Sequence, residues 1–206
     1  MLRDAILSHL HELKVSSAEL CKGSFLHVLR DTVELPNGAL ATREYVVHPG
    51  AVMVVPLIED APGQFRLVLE RQFRYPVHRT IIEFPAGKID AGEDPFHCAQ
   101  RELREETGYV ATSWARAGML HPVISYSTEF IDVWFARGLM AGESRLDQDE
   151  FLDVFTATPT ELLTWCRDGQ VTDGKTLVGA LWLQNYLAGT WELDWFDCPS
   201  SMVSGQ

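Results

Sequence analysis

The chain has 206 residues, of which 46% are hydrophobic and 22% are charged, so it is long enough to bury a substantial core. Its formal net charge of −12 repels nucleic acid backbones, and no basic and aromatic run offers them a binding track. No apolar run approaches the roughly 20 residues that span a bilayer. The four cysteines lack CxxC spacing, which favours a reduced compartment. We therefore expect a globular cytoplasmic protein with no nucleic acid partner and no membrane anchor.

The first 50 residues predict a small element that precedes the main core. The segment MLRDAILSHLHELK is amphipathic and predicts a helix on the surface. Two strand-like runs then flank Pro36-Asn37-Gly38, a turn sequence typical of a β-hairpin. We assign residues 1–50 to this helix and hairpin and residues 51–206 to the main domain.

The rest of the chain mixes strand-like and helical segments, which predicts an α/β fold with a mixed sheet. The segments AVMVVPLIED, FRLVLERQFR and TIIEF predict strands, as do ARAGML, FIDVWFARGL and DEFLDVFTA. A helix from Pro95 to about Thr107 has Asp94 as its N-cap and Gly108 just past its end. Two more helices are predicted, one opened by a capping box at Thr158 and one over KTLVGALWLQNYLAG.

Three carboxylates crowd the last turns of the Pro95 helix, those of Glu102, Glu105 and Glu106. At about 100° per residue they share roughly one third of the helix circumference. Like charges at this spacing repel, and anions oppose the dipole at a helix C-terminus, so the cluster is unfavourable by itself. A solvated acidic face is the structural interpretation, and a bound divalent cation is the functional one. Oxygen ligands without histidine or thiolate favour Mg²⁺ or Mn²⁺ over zinc.

The stretch GKIDAGEDPFHCAQRELREETGY, residues 87–109, resembles the signature of the Nudix hydrolases. Its glycines, glutamates and arginine stand at the family's spacing from Gly87 to Gly108, and only Tyr109 is unusual, because the family mostly has an aliphatic residue there. The resemblance implies a Nudix fold, an α/β/α sandwich around a mixed sheet, with a small N-terminal antiparallel β element. It also implies hydrolysis of a nucleoside diphosphate linked to another moiety.

The same resemblance implies roles for residues of the signature. It implies that Mg²⁺, with Mn²⁺ as a substitute, is bound by the three clustered glutamates and by the backbone carbonyl of Ala86. It implies an ion pair between Glu93 and Arg101 that braces the loop against the helix. The general base stays open between Glu105 and Glu150. Glu150 lies in the acidic stretch GESRLDQDEFLD, with Asp149 as the next candidate, and a solvated loop is the structural alternative.

Segments outside the signature resemble the ADP-ribose pyrophosphatase branch of the family, namely REYVVHPGAV, LERQFRYPV, IIEFPAGKID and SYSTEFIDVWFARGL. This resemblance implies that Arg43 and Arg74 contact the diphosphate, which suits guanidinium groups. It also implies that Glu83 and Glu129 lie near the substrate. Each of the four has a structural alternative, as a surface charge or an ion-pair partner. We expect Phe73 to pack in the core rather than stack on a base.

One departure from this branch concerns the substrate. The branch usually carries a proline downstream of the signature where this chain has Ile124, with Pro122 two positions earlier. The expected reaction is Mg²⁺-dependent hydrolysis of ADP-ribose to AMP and ribose 5-phosphate. Another nucleoside diphosphate sugar, such as a GDP-sugar, stays open as the substrate, and a nucleotide sensor without turnover is the alternative of a different class. The N-terminal element is expected to pair with a second subunit in a homodimer.

Overall fold

The computed structural model describes residues 8–146, 148 and 150–198. The chain divides into two compact units, one formed by Met1–Pro49 and Val123–Glu129 and the other by Gly50–Pro122 and Phe130–Gln206. In the described ranges, no helix is long and apolar enough to cross a membrane.

The first unit contains a three-stranded antiparallel sheet in the order β1-β2-β3. Its strands are β1 (Leu13–Lys22), β2 (His27–Glu34) and β3 (Leu40–Val46). The turn between β2 and β3 contains Gly38 with a φ of 80°, a backbone angle that glycine adopts without strain. The predicted hairpin around this turn is confirmed.

The described part of the predicted N-terminal helix, residues 8–14, is a short 3-10 turn (Ser8–Leu10) followed by the start of β1, so the helix prediction is wrong there. The strand forms because its polar side chains find partners on β2. Ser17 donates a hydrogen bond to Asp31 at 2.5 Å, and the Lys14 ammonium lies 3.3 Å from the same carboxylate. A short isolated helix is marginal in water, so these cross-strand contacts decide the conformation. Residues 1–7 lie outside the described part of the chain.

The second unit contains an eight-stranded mixed sheet in the order β10-β5-β4-β9-β8-β11, with β6 paired to β5 and β7 paired to β4. The β4–β9 pair is parallel, and the other pairs are antiparallel. The strands are β4 (Ala51–Ala61), β5 (Gln64–Arg74), β6 (Arg79–Glu83), β7 (Ala86–Lys88), β8 (Tyr109–Leu120), β9 (Ile131–Ala141), β10 (Leu152–Ala157) and β11 (Phe196–Asp197).

Within residues 8–146, 148 and 150–198, three α-helices form, α1 (Pro95–Thr107), α2 (Pro159–Arg167) and α3 (Gly174–Leu187). Their ends follow from local sequence. The Asp94 side chain accepts a hydrogen bond from the Phe96 amide at 2.9 Å, and Gly108 ends α1 with a φ of 74°. Thr158 and Glu161 form the predicted capping box of α2. The predicted positions of these helices are confirmed.

A hydrophobic cluster lies on each face of the sheet, because successive residues of a strand point to opposite sides. Met53 of β4 belongs to one cluster, together with Leu162 of α2 and Leu183 of α3. The neighbouring Val52 belongs to the other cluster, together with Leu103 of α1. Helix α1 therefore covers one face and helices α2 and α3 cover the other, which confirms the predicted α/β/α sandwich.

Candidate active site

Two of the α1 carboxylates, those of Glu102 and Glu106, lie against the backbone of β7. Gly87 approaches Glu102 so closely that a Cβ atom on residue 87 would lie 1.9 Å from the carboxyl carbon. The next contact is made by Ala86, whose backbone N–H donates to Glu106 Oε2 at 2.9 Å. A glycine at position 87 is therefore required for the Glu102 carboxylate to occupy this place.

Arg101 connects the preceding loop to the carboxylates of α1. Its Nε and Nη2 donate to the two oxygens of Glu93 at 2.8 and 2.9 Å, so the ion pair that the resemblance implies is present. This guanidinium lowers the pKa of Glu93 to about 2. The remaining Nη1 donates to Glu102 at 2.8 Å and to Glu105 at 3.0 Å. One cation thus serves three carboxylates.

Glu102 and Glu106 are buried, whereas the Glu105 side chain is 40% exposed. Burial raises the pKa of Glu102 to about 7. Burial also raises the pKa of Glu106, and the neighbouring charges of Glu70 and Glu102 raise it further. The buried carboxylates therefore have too little compensating positive charge, because Arg101 reaches Glu102 but is shared with Glu93 and Glu105.

The residues of this region fit a hard divalent cation by their chemistry. The three clustered side chains of α1, Glu102, Glu105 and Glu106, supply only carboxylate oxygens, which are ligands that Mg²⁺ and Mn²⁺ prefer. Because Gly87 has no Cβ, the Glu102 carboxylate has room beside β7. In the part of the chain that the structure describes, no three Asp, Glu, His or Cys side chains are already arranged around one point as metal ligands. Glu102 and Glu105 are instead drawn towards Arg101.

Glu70 of β5 is a residue of this region that the sequence analysis missed. It is 3% exposed, and its Oε1 has no hydrogen-bond partner among the described residues. Burial raises its pKa, and the charges of Glu150 and Glu83 add to that effect. In sequence Glu70 directly follows the apolar run Leu67–Leu69, and a charge attached to such a run was the signal that could have drawn attention to it.

Glu83, at the end of β6, is held by two cations. Arg74 donates to its two oxygens from Nε at 2.6 Å and from Nη2 at 2.8 Å, and Lys175 also donates to it. Burial acts to raise the pKa of Glu83, but these two cations together bring it below its usual value. The sequence analysis missed Lys175. A cation in the first turn of a helix opposes the helix dipole, so its position in α3 indicated an anionic partner.

Glu150 lies beside the same group of carboxylates. Gln72 Nε2 is 3.4 Å from Glu150 Oε1. After burial, the charge of Glu150 is among the causes that raise the pKa values of Glu70, Glu102 and Glu106. The structure therefore brings this predicted general base together with the α1 carboxylates. Asp149 lies outside the described residues.

Two of the predicted substrate-binding residues belong to the first unit. Arg43 lies on β3, and its Nε donates to Glu12 at 2.9 Å. The backbone N–H of Glu129 donates to Ser127 Oγ at 3.1 Å. The substrate contacts of Arg43 and Glu129 stay predictions.

The expected core position of Phe73 is wrong, because its side chain is 54% exposed. At this point β5 pairs with the beginning of β6, where the partner residue Thr80 is itself exposed. Tyr75, just after the strand, is exposed as well.

Comparison with known proteins agrees with the fold and the signature. Residues 47–180 match the NUDIX domain, and residues 12–46 match the nucleoside diphosphate sugar hydrolase N-terminal domain. The chain is 34% identical over 180 residues to an ADP-ribose pyrophosphatase of Bacillus subtilis (strain 168), which covers 86% of this chain and 95% of the relative. It is 36% identical over 177 residues to a methanol dehydrogenase activator of Bacillus methanolicus, covering 84% and 92%.

A solved structure shares the fold. The crystal structure of an ADP compounds hydrolase superposes with a TM-score of 0.76 at 22% identity, and the match covers 86% of this chain and 95% of that chain. The NUDIX domain match spans more than half of the chain, and it contains the loop and helix that carry the clustered glutamates. This protein belongs to the Nudix hydrolase family.

Proposed function

We propose that this protein hydrolyses the diphosphate bond of a nucleoside diphosphate sugar in a Mg²⁺-dependent reaction, with ADP-ribose as the substrate and AMP and ribose 5-phosphate as the products. The observation that supports the proposal is the burial of Glu102 and Glu106 against β7 with too little positive charge around them. The similarity to an ADP-ribose pyrophosphatase over most of the chain supports the choice of substrate.

In this proposal Glu102, Glu105 and Glu106 hold the cation together with the backbone carbonyl of Ala86, and Mn²⁺ substitutes for Mg²⁺. When bound, the cation neutralises charge on the diphosphate and lowers the pKa of a water. Arg101 keeps two of its nitrogens on Glu93, so the loop stays fixed to α1 when the contacts of Nη1 change.

The base in this proposal is Glu150 rather than Glu105. Arg101 already donates to Glu105 at 3.0 Å, so one oxygen of that carboxylate is engaged in an ion pair. Glu150 has no such cation contact among the hydrogen bonds and ion pairs of the described residues, and it lies beside the buried carboxylates. A water oxygen bonds to phosphorus, its proton passes to Glu150, and the bond from phosphorus to the bridging oxygen breaks.

Arg74 is the proposed diphosphate contact from β5. Its guanidinium is oriented by the two-point contact with Glu83, and Lys175 holds Glu83 from the other side. Glu83 therefore acts in this proposal by positioning Arg74. Arg43 and Glu129 are proposed as further substrate contacts on the strength of the family resemblance.

The test is a panel of nucleoside diphosphate sugars incubated with and without Mg²⁺, with release of the nucleoside monophosphate measured. We expect ADP-ribose to have the highest kcat/KM and hydrolysis to stop when the cation is removed by chelation. A GDP-sugar that ranks above ADP-ribose would overturn the choice of substrate. Binding of the nucleotides without turnover of any of them would favour the sensor instead.

We also propose that the protein is a cytoplasmic homodimer that associates through the N-terminal element, residues 1–50. Strand β1 is exposed along its whole length, including Leu13, Val15 and Leu20, and the four cysteines are free thiols. Sedimentation velocity at micromolar concentration is expected to give the mass of two chains. A monomer mass would contradict the dimer, and recovery of the protein from a secreted fraction would contradict the location.

A further inference from the structure

Strand alternation turns the Glu70 side chain towards the α1 side of the sheet. Leu67 and Leu69 of β5 belong to the hydrophobic cluster that α2 and α3 cover. Glu70 therefore points to the opposite face, as does Gln72, whose amide lies 3.4 Å from Glu150. The α1 carboxylates lie on this face too, and among charged groups Glu70 has the strongest influence on Glu106.

Among the residues that the structure describes, no cation donates a hydrogen bond to Glu70 Oε1. Glu83 stands directly opposite Glu70 in the β5–β6 register, and it takes the hydrogen bonds of both Arg74 and Lys175. Like charges placed opposite each other across two strands destabilise a sheet. A charged carboxylate oxygen buried without a partner is also costly. The fold tolerates Glu70 at a position where an apolar side chain would pack without these costs.

The charges around Glu70 indicate what its partner is. Glu70 of β5, Glu106 of α1 and Glu150 of the segment before β10 lie on the same side of the sheet, and the hydrogen bonds and ion pairs of the described residues give none of the three a cation. A substrate hydroxyl would supply a hydrogen bond but would leave the excess negative charge unchanged. A divalent cation supplies both a partner for Oε1 and the missing positive charge.

We propose that Glu70 is a further ligand of the divalent cation, binding it directly through Oε1 from the strand side while Glu106 binds it from the helix side. The proposal rests on the metal dependence proposed above and adds to it a ligand outside the family signature. Mg²⁺ takes about six oxygen ligands and commonly keeps several waters, so one of those waters is replaced by the Glu70 carboxylate.

The test is titration of the metal-free protein with Mn²⁺ by isothermal calorimetry, without substrate. Glu70→Gln keeps the size of the side chain and removes its charge. We expect it to weaken Mn²⁺ binding at least about tenfold, or to lose one bound ion per chain. Glu192→Gln, the same change at an exposed position, is expected to bind as the wild type does. Equal affinity and stoichiometry in wild type and Glu70→Gln would overturn the proposal.

A second variant separates a ligand from a side chain that only fills space. Glu70→Asp keeps a carboxylate and is expected to bind Mn²⁺ more tightly than Glu70→Gln, although it is the poorer match in size. The rise in thermal unfolding temperature on adding Mn²⁺ is expected to follow the same order, and it also reports whether each variant is folded. A smaller rise for Glu70→Asp than for Glu70→Gln would show that volume, not charge, matters at this position.

Hydrolysis by the wild type is measured separately, so that the two proposals fail in different ways. If the wild type hydrolyses ADP-ribose and Glu70→Gln keeps full Mn²⁺ binding, only the role of Glu70 is overturned. If Glu70→Gln loses Mn²⁺ binding and the wild type hydrolyses no nucleoside diphosphate sugar, only the proposed reaction is overturned.

Discussion

Replacing Glu106 by glutamine is expected to lower kcat for ADP-ribose hydrolysis by about a thousandfold or more, which corresponds to about 4 kcal/mol of activation free energy. The amide keeps an oxygen that can accept the hydrogen bond from the Ala86 backbone N–H, so the buried side chain still fits. It cannot carry the negative charge that binds a divalent cation. Steady-state kinetics with saturating Mg²⁺ measure the effect.

The same variant is expected to be more stable than the wild type when metal is absent. The pKa of Glu106 is raised by burial in the folded state, so the folded protein binds more protons than the unfolded one. The free energy of unfolding of the wild type therefore falls as the pH rises above about 4.5, the ordinary pKa of a glutamate. Glutamine does not titrate, so the variant avoids this loss. Thermal unfolding in a chelator, near neutral pH, tests this sign.

The control for Glu106→Gln is again Glu192→Gln, which removes a charge from an exposed position. Its activity and its unfolding temperature are expected to stay close to those of the wild type. Turnover of Glu106→Gln within about tenfold of the wild type would remove Glu106 from the metal site.

Gly87→Ala is expected to lower kcat/KM by about a hundredfold while the fold remains intact. The new Cβ would lie 1.9 Å from the carboxyl carbon of Glu102, so one of the two groups must move. The carboxylate is the end of a flexible side chain, and it moves at little cost compared with the strand backbone. The backbone angles of Gly87 are ones that alanine also adopts. The substitution is therefore expected to displace the Glu102 carboxylate, a proposed metal ligand, and not the strand. Steady-state kinetics measure the loss of activity, and thermal unfolding measures any loss of stability.

Gly174→Ala is the matched control for this substitution. A Cβ on Gly174, in the first turn of α3, meets nothing within 4 Å. Its unfolding temperature is expected to stay close to that of the wild type, as for most surface substitutions, and its activity to lie within about twofold. Normal activity in Gly87→Ala would show that the position of the Glu102 carboxylate is not critical. A large drop in its unfolding temperature would show that the backbone, not the side chain, gives way.

The parts of the site that sequence could predict are those set by local chemistry. The ends of α1 follow from Asp94 and Gly108, which act within one turn of the helix. The shared face of Glu102 and Glu106 follows from helical periodicity. The contact between Glu93 and Arg101 also lies within the signature, where spacing is fixed by one loop and one helix.

The parts that sequence could not predict depend on pairings between distant segments. Glu70 lies opposite Glu83 through the β5–β6 register and faces the side of the sheet on which α1 packs, and neither neighbour is evident from its own segment. Lys175 of α3 contacts Glu83 of β6, and this contact joins two elements that are far apart in the sequence. The start of β1 also depends on a distant segment, because the strand at Leu13 is stabilised by its pairing with β2. Propensity is a weak guide wherever such tertiary contacts decide.

Because of Arg101, binding of the proposed cation would be an exchange rather than a simple addition. Two nitrogens of its guanidinium donate to Glu93, and the third donates to Glu102 and Glu105, so the proposed cation would have to displace this third nitrogen. The net affinity is then the difference between two sets of attractions, and it is weaker than the carboxylates alone would give. Without the cation, Arg101 keeps Glu102 and Glu105 partly neutralised, and the same ion pairs would favour release of a bound cation.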